Sequence, residues 1–130
     1  MNFQSNWISV KADPQRVFDF FGNLNNLESL MPEQIINWRS DANSCSFTIK
    51  GMTDLSLRTA ESQSPKLIRL VPAGKVPFPF ELMMKIRGEV NAEVMFEINA
   101  DLNPMLAMMA KRPLQNLVEI MADKASGISF

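Results

Sequence analysis

The spacing of apolar positions divides the chain into three stretches with different periods. After Asp13-Pro14, the residues Val17, Phe18, Phe20 and Phe21 crowd one broad face until Gly22, and Leu24, Leu27, Leu30 and Met31 recur at helical spacing until Pro32. An Asp before a Pro supplies a capping side chain and a residue whose fixed φ suits a first helical turn, so two short consecutive helices are expected. From Gln34 to Ala100 the period falls to two. Ile36 and Trp38, then Cys45, Phe47 and Ile49, then Leu55 and Leu57 alternate with mostly polar neighbours, as do Phe80 to Ile86 and Ala92 to Ile98. These are half-buried antiparallel strands. Turn signals separate them at Asp41 to Ser44, Gly51, Ser62 to Pro65, Pro72 to Pro79 and Gly88. One register compatible with this parity sets Lys85 opposite Glu93 on the solvent face.

Asn103-Pro104 repeats the helix-start chemistry and opens a segment that reads as one helix to about Ala125, roughly 30 Å long. Leu106, Met109, Ala110, Pro113, Leu117, Ile120 and Met121 form its apolar stripe, opposite Lys111, Arg112, Gln115, Glu119 and Asp123. Pro113 cannot donate to the Met109 carbonyl, so a kink or break is expected near Met109 to Arg112. In Leu67-Ile-Arg-Leu-Val both faces are apolar and periodicity leaves the parity open. Inward, Arg69 would give the interior a cation, with Glu61 as its partner; outward, it avoids the cost of a buried guanidinium. The loop VPAGKVPFPFE, Val71 to Glu81, either forms a flap or docking edge with Val76, Phe78 and Phe80, or tucks Phe78 into the core.

Composition narrows the chemistry. The 130 residues include no histidine and no tyrosine, which excludes Ser-His-Asp and Cys-His nucleophile systems and histidine metal sites. Thirteen basic and fourteen acidic side chains, scattered along the chain, give no field for a nucleic acid. There is no Gly-rich phosphate loop, and Asp41, Asp54 and Asp101 have no metal-site spacing, so no cofactor or metal is implied. Cys45 is the lone cysteine, mid-strand and without a histidine to activate it, and reads as a buried structural thiol. No secretory signal is visible, and the longest apolar run, Met105 to Ala110, is too short to span a bilayer; a cytoplasmic protein without stable membrane insertion is expected. A single domain over 1–130 fits this length.

The element order, together with Ile8-Ser-Val-Lys-Ala-Asp-Pro-Gln-Arg-Val-Phe-Asp-Phe-Phe, Asn23-Leu-Asn-Asn-Leu and Leu30-Met-Pro, resembles START-like (SRPBCC) proteins. That superfamily includes polyketide cyclases and dehydratases, plant pollen allergens, coenzyme Q-binding proteins and lipid-transfer domains. The resemblance implies an α+β helix-grip fold, in which a curved antiparallel sheet of about seven strands wraps a long C-terminal helix, with two short helices after the first strand. It also implies a cavity that takes an apolar or amphipathic small molecule. In that frame Phe47, Ile49, Leu57, Thr59, Phe80, Leu82, Met84, Val94 and Phe96 face Leu106, Met109 and Leu117, with Phe78 and Arg69 as further candidate ligand contacts. The alternative for the same alternation is a solidly filled core. Met83, Met84, Met105, Met108, Met109 and Met121 are expected where the helix meets the sheet or its rim, adapting to irregular ligands or filling gaps.

Family enzymes often use His, Tyr or paired carboxylates in the cavity, and the first two types are missing, which favours noncatalytic binding or transport. The alternatives are a cyclase, dehydratase or hydrolase using Asp, Glu or Lys with water, and a protein-interaction or homodimeric module using Val76 to Phe80 or a strand edge.

Overall fold

A computed structural model describes residues 1–130. Asp13 caps α1 (Pro14–Gly22), its Oδ1 accepting from Arg16 N at 2.9 Å, and Asn103 caps α2 (Pro104–Ala125) by accepting from Leu106 N at 2.9 Å. Both caps match the Asx-Pro signals. The second short helix, Leu24–Leu30, is a 3₁₀ helix that buries Leu24, Leu27 and Leu30. Helix α2 continues without a break across Pro113, contrary to one expected outcome there.

Eight strands form one curved, open antiparallel sheet. They are β1 (Asn2–Gln4), β2 (Ile8–Ser9), β3 (Ile35–Ser40), β4 (Ser44–Ile49), β5 (Thr53–Gln63), β6 (Leu67–Pro72), β7 (Phe80–Arg87) and β8 (Glu93–Ala100). The spatial order is β1-β8-β7-β6-β5-β4-β3, and β2 also pairs with β8. The eighth strand arises because the first is interrupted. Ser5 N donates to Phe96 O at 2.9 Å and Phe96 N donates to Ser5 Oγ at 3.0 Å, so a side chain carries the ladder across the gap.

Two registers differ from expectation, and a third that was open is decided. In β3, Ile35 is buried and Ile36 exposed, because a bulge at Asn37, φ 57°, inserts an extra residue. Past the bulge, Trp38 stacks on the buried Phe47 ring at 5.7 Å. In the β7–β8 hairpin, Lys85 faces Met95 and Arg87 faces Glu93, with Arg87 Nε 2.9 Å from Glu93 Oε1. The slip is two residues, which preserves which face each side chain occupies. In β6, Ile68 and Leu70 are buried, so Arg69 points outward.

Helix α2 buries Ala110, Leu114, Leu117, Val118, Met121, Ala122 and Ala125 and lies against β1, β2 and β8 and the 3₁₀ helix. Gln115 Nε2 donates to Gln4 O at 3.1 Å, and Lys124 Nζ to Met31 O at 2.7 Å, pinning it to the edge strand and to the end of the 3₁₀ helix. Beneath it Phe21 meets Phe20, Phe96 and Phe130 edge-on, centroids 5.4 to 5.8 Å apart, which brings the C-terminus into the same core. No helix is long and apolar enough to cross a membrane.

Candidate functional site

The concave face is assembled by cross-strand pairs. Phe47 lies opposite Leu55, Cys45 opposite Leu57, Thr59 opposite Leu70, Ile68 opposite Met84, Leu82 opposite Ile98, and Met84 opposite Phe96. The sequence-assigned residues Phe47, Ile49, Leu57, Phe80, Leu82, Met84, Val94 and Phe96 are all buried in one core, joined by Leu117 from α2 and by Phe78. Phe78 is tucked beside Phe80, rings 6.2 Å apart, so the Pro-rich loop contributes to the core rather than standing free. Leu106 is half-buried against the same core.

Two assigned residues lie elsewhere. Arg69 is on the convex face, its Nε 3.2 Å from Glu61 Oε1 and its Nη1 3.1 Å from Glu81 Oε2. The β-bulge after Thr59 sets Glu61 directly opposite it, and outward placement spares a guanidinium the cost of desolvation. These neighbours hold the guanidinium pKa above its ordinary value. Met109 is solvent-exposed, because the core stripe of α2 centres on Leu114 and Val118 rather than on Met109 and Pro113. The methionines divide accordingly: Met84 and Met121 are buried, Met83 is half-buried on the convex side, and Met105, Met108 and Met109 face away from the core.

Sequence reasoning missed Ile68 and Leu70 in the wall, and Leu114 and Val118 on the helix. The parity of β6 would have identified the first pair, and the alternation itself does not supply it. For the helix, the alanines Ala110, Ala122 and Ala125 were the signal, because small residues allow a helix to lie close to a sheet.

The ionisable groups of strands β5 to β8 keep to the convex face. Arg69 and Glu81 continue through Asn99 Nδ2, 3.0 Å from Glu81 Oε1, to Asn2, whose Nδ2 donates to Asn99 Oδ1 and to Glu97 Oε2. Lys85 Nζ closes on Glu97 Oε1 at 2.8 Å. This polar belt knits β5, β6, β7, β8 and β1 on the outside. Burial pushes the Glu97 carboxyl pKa up, but hydrogen bonds from Lys85, Asn2 and Gln4 and the Lys85 charge outweigh it and leave the pKa below 4.5. Cys45 is buried, and that burial, with nearby Asp41, pushes its thiol pKa up to about 12, which makes it a poor nucleophile.

On the inner wall Thr59 provides the polar atom of interest. Its Oγ1 is buried with no hydrogen-bond partner. Thr59 as a whole is half-buried, and deeper in the wall Leu57, Ile68, Leu70 and Phe96 are 0% exposed, so the interior there is closely packed. The depressions lie at the surface: those of about 570 and 650 Å³ are beside Asn2, Glu81 and Asn99 and beside Met108, Lys111 and Arg112, and smaller ones of about 330 and 460 Å³ flank β3, β4 and β5. Chemically, the arrangement is an apolar wall and a clasping helix around a single unsatisfied hydroxyl.

A curved antiparallel sheet clasping a C-terminal helix, with two short helices after the first strand, is the START-like helix-grip fold, and this chain has it. Solved structures share that fold at low sequence identity. TTHA0849 from Thermus thermophilus matches with a TM-score of 0.71 and 14% identity, covering 98% of this chain and 95% of that one. XoxI from Bacillus cereus matches at 0.72 and 10%, over 97% and 93%. Truncated norcoclaurine synthase from Thalictrum flavum matches at 0.67 and 10%, over 97% and 91%. No protein-family model matches the chain, and no curated protein sequence does.

Proposed function

We propose that the protein binds or carries a hydrophobic or amphipathic small molecule between the concave sheet and α2. The observation that carries this reading is the uniformly apolar inner wall with one unpartnered hydroxyl, Thr59 Oγ1. A lipid tail, isoprenoid or polycyclic body suits the wall, and Thr59 would donate to or accept from its polar end. A general acid-base reaction needs an ionisable group beside the substrate, and the buried polar residues are Ser5 and Glu97, the latter in the convex belt. This favours a binder over a carboxylate- or lysine-dependent enzyme. Norcoclaurine synthase, also solved as a point mutant in complex with a transition state analogue, is a protein of this fold that takes a small-molecule ligand.

Because the interior is filled, the ligand enters by moving part of its wall. The first two turns of α2, before Ala110, bury no side chain completely, Leu106 being only half-buried, and Pro113 removes the hydrogen bond that would tie its own turn to Met109 O. The segment Pro104–Arg112 is therefore the part of the clasp that is easiest to lift.

The test uses Trp38, which stacks on wall residue Phe47. In a Trp7→Phe background it is the sole indole. Fatty acids, isoprenoids and polycyclic compounds are titrated against its fluorescence and against thermal stability. A ligand at one hundred times its Kd adds about 2.7 kcal/mol, and so raises the melting temperature by roughly 10 °C. No change in either signal with any member of the panel, and no small molecule released on denaturing the purified protein, would overturn the proposal.

A further inference from the structure

The first turns of α2 carry more apolar surface than a helix covering a sheet requires. Met105, Met108 and Met109 are 74, 87 and 55% exposed. At 100° per residue they share with Arg112 an outward sector about 100° wide, on the side of the helix away from Ala110, Leu114 and Leu117, which lie about 130–170° from its centre. No core contact accounts for them. Within Pro104 to Val118 the charged residues are Lys111 and Arg112, both cationic; the exposed carboxylate of Asp101 precedes the cap, and Glu119 and Asp123 come later. A shallow depression lined by Met108, Lys111, Arg112, Gln115 and Asn116 runs beside the methionines. The positive end of the helix dipole adds to the same field. Since β8 ends at Ala100 opposite Phe80, this helix start lies at the same end of the sheet as the β6–β7 loop with its exposed Lys75.

We propose that this end of the molecule docks on an anionic lipid bilayer. Met105, Met108 and Met109 enter the boundary between headgroups and acyl chains, and Lys111 and Arg112 meet lipid phosphates. The helix lies on the surface and does not span it. The proposal rests on the reading of the grip as a hydrophobic-ligand site, for which docking sets the liftable half of α2 against the lipid phase. A second copy of the chain fits the patch less well. Three methionine side chains offer on the order of 400 Å², about half of the ~800 Å² per partner that a stable interface buries. A twofold contact through them would also place the cations with no carboxylate inside the patch to meet them.

Flotation of the full chain with vesicles of phosphatidylcholine, or of phosphatidylcholine with phosphatidylglycerol, tests this. Wild type is expected to float with the anionic vesicles, less with the neutral ones, and less as salt rises. The variants M105S/M108S/M109S and K111E/R112E should each lower partitioning at least about tenfold with no drop in melting temperature, since these side chains face solvent. Wild type that ignores anionic vesicles, variants that bind as well as wild type, or a concentration-dependent dimer abolished by the methionine substitutions would each overturn it. The ligand titration above is repeated on the same variants without vesicles. Lost flotation with intact ligand response is the expected result, and a failure of the ligand reading appears as a flat titration for every variant, independent of the vesicle result.

Discussion

Replacing Thr59 with valine exchanges a hydroxyl for a methyl of nearly the same shape at the one point where the inner wall is polar. Thr59 Oγ1 is buried and unpartnered, and Thr59 N donates to Asn43 O at 3.0 Å, a bond the valine keeps. A buried hydroxyl without a partner costs about 1–3 kcal/mol relative to hydration in the unfolded chain, and both residues are β-branched and equally at home in a strand. Thr59→Val is therefore expected to stabilise the unliganded protein by about 1–2 kcal/mol, raising its melting temperature by roughly 4–8 °C. Urea unfolding followed by circular dichroism measures this directly, with Thr59→Ser as the control. Serine keeps the hydroxyl and loses the methyl, so it should be less stable than wild type by about 1 kcal/mol. The same valine should weaken a ligand with a polar end by about tenfold and leave a pure hydrocarbon unaffected, because a hydrogen bond is worth roughly 1 kcal/mol or more in a dry site. Loss of 1 kcal/mol or more in Thr59→Val would refute the reasoning, since it would mean that the hydroxyl is already satisfied.

The Glu97 carboxyl has a folded pKa below its ordinary 4.5, so its interactions stabilise the fold above that value and are lost as pH falls through the folded pKa. Urea midpoints from pH 7 to pH 3 should fall on the acid side in wild type, and Glu97→Gln should flatten that limb. Cys45, with its thiol pKa pushed up to about 12, should resist a thiol reagent at pH 8 in the native protein and react fully in urea; rapid native labelling would count against its burial. Pro113→Ala restores a donor to Met109 O and removes a ring clash, so stability should rise by up to about 3 kcal/mol while stopped-flow ligand association slows. Unchanged association would show that entry does not pass under this half of α2.

Where alternation met a single apolar face, the sequence determined the outcome. Phe80 to Ile86 and Val94 to Ile98 place every second residue in the core as expected, and the two-residue slip of Lys85 left that parity intact, because only odd shifts exchange the faces. The Asx-Pro caps were equally readable, since capping is local chemistry. Asn37 was not. A left-handed residue at a bulge is a backbone event, and nothing in Ile35-Ile-Asn-Trp shows that it reverses the parity of Ile36. Arg69 was undecided for a related reason. With apolar residues on both sides of Leu67-Ile-Arg-Leu-Val, the choice falls to the cost of burying a cation and to a bulge that delivers Glu61 as its partner.

The candidate site was legible as a wall but not as a volume. Residues that line a hollow and residues that fill it obey the same period, and only packing distinguishes them. In this conformation they fill it, so the proposed ligand binding turns on what can move rather than on what is open. Helix α2 is again the informative element. Met105-Leu-Ala-Met-Met-Ala is apolar almost all round, so its stripe could be drawn through Met109 as readily as through Leu114; the alanines settle it by allowing close approach on one side, which leaves three methionines on the other. A helix serving only as a lid over a closed core would carry polar residues there. The exposed methionines coincide with the half of the helix that buries least and precedes Pro113, so the place where the clasp is weakest is also where the surface is most apolar. Core packing gives no reason for that coincidence, whereas ligand exchange at a lipid surface requires both features in one place.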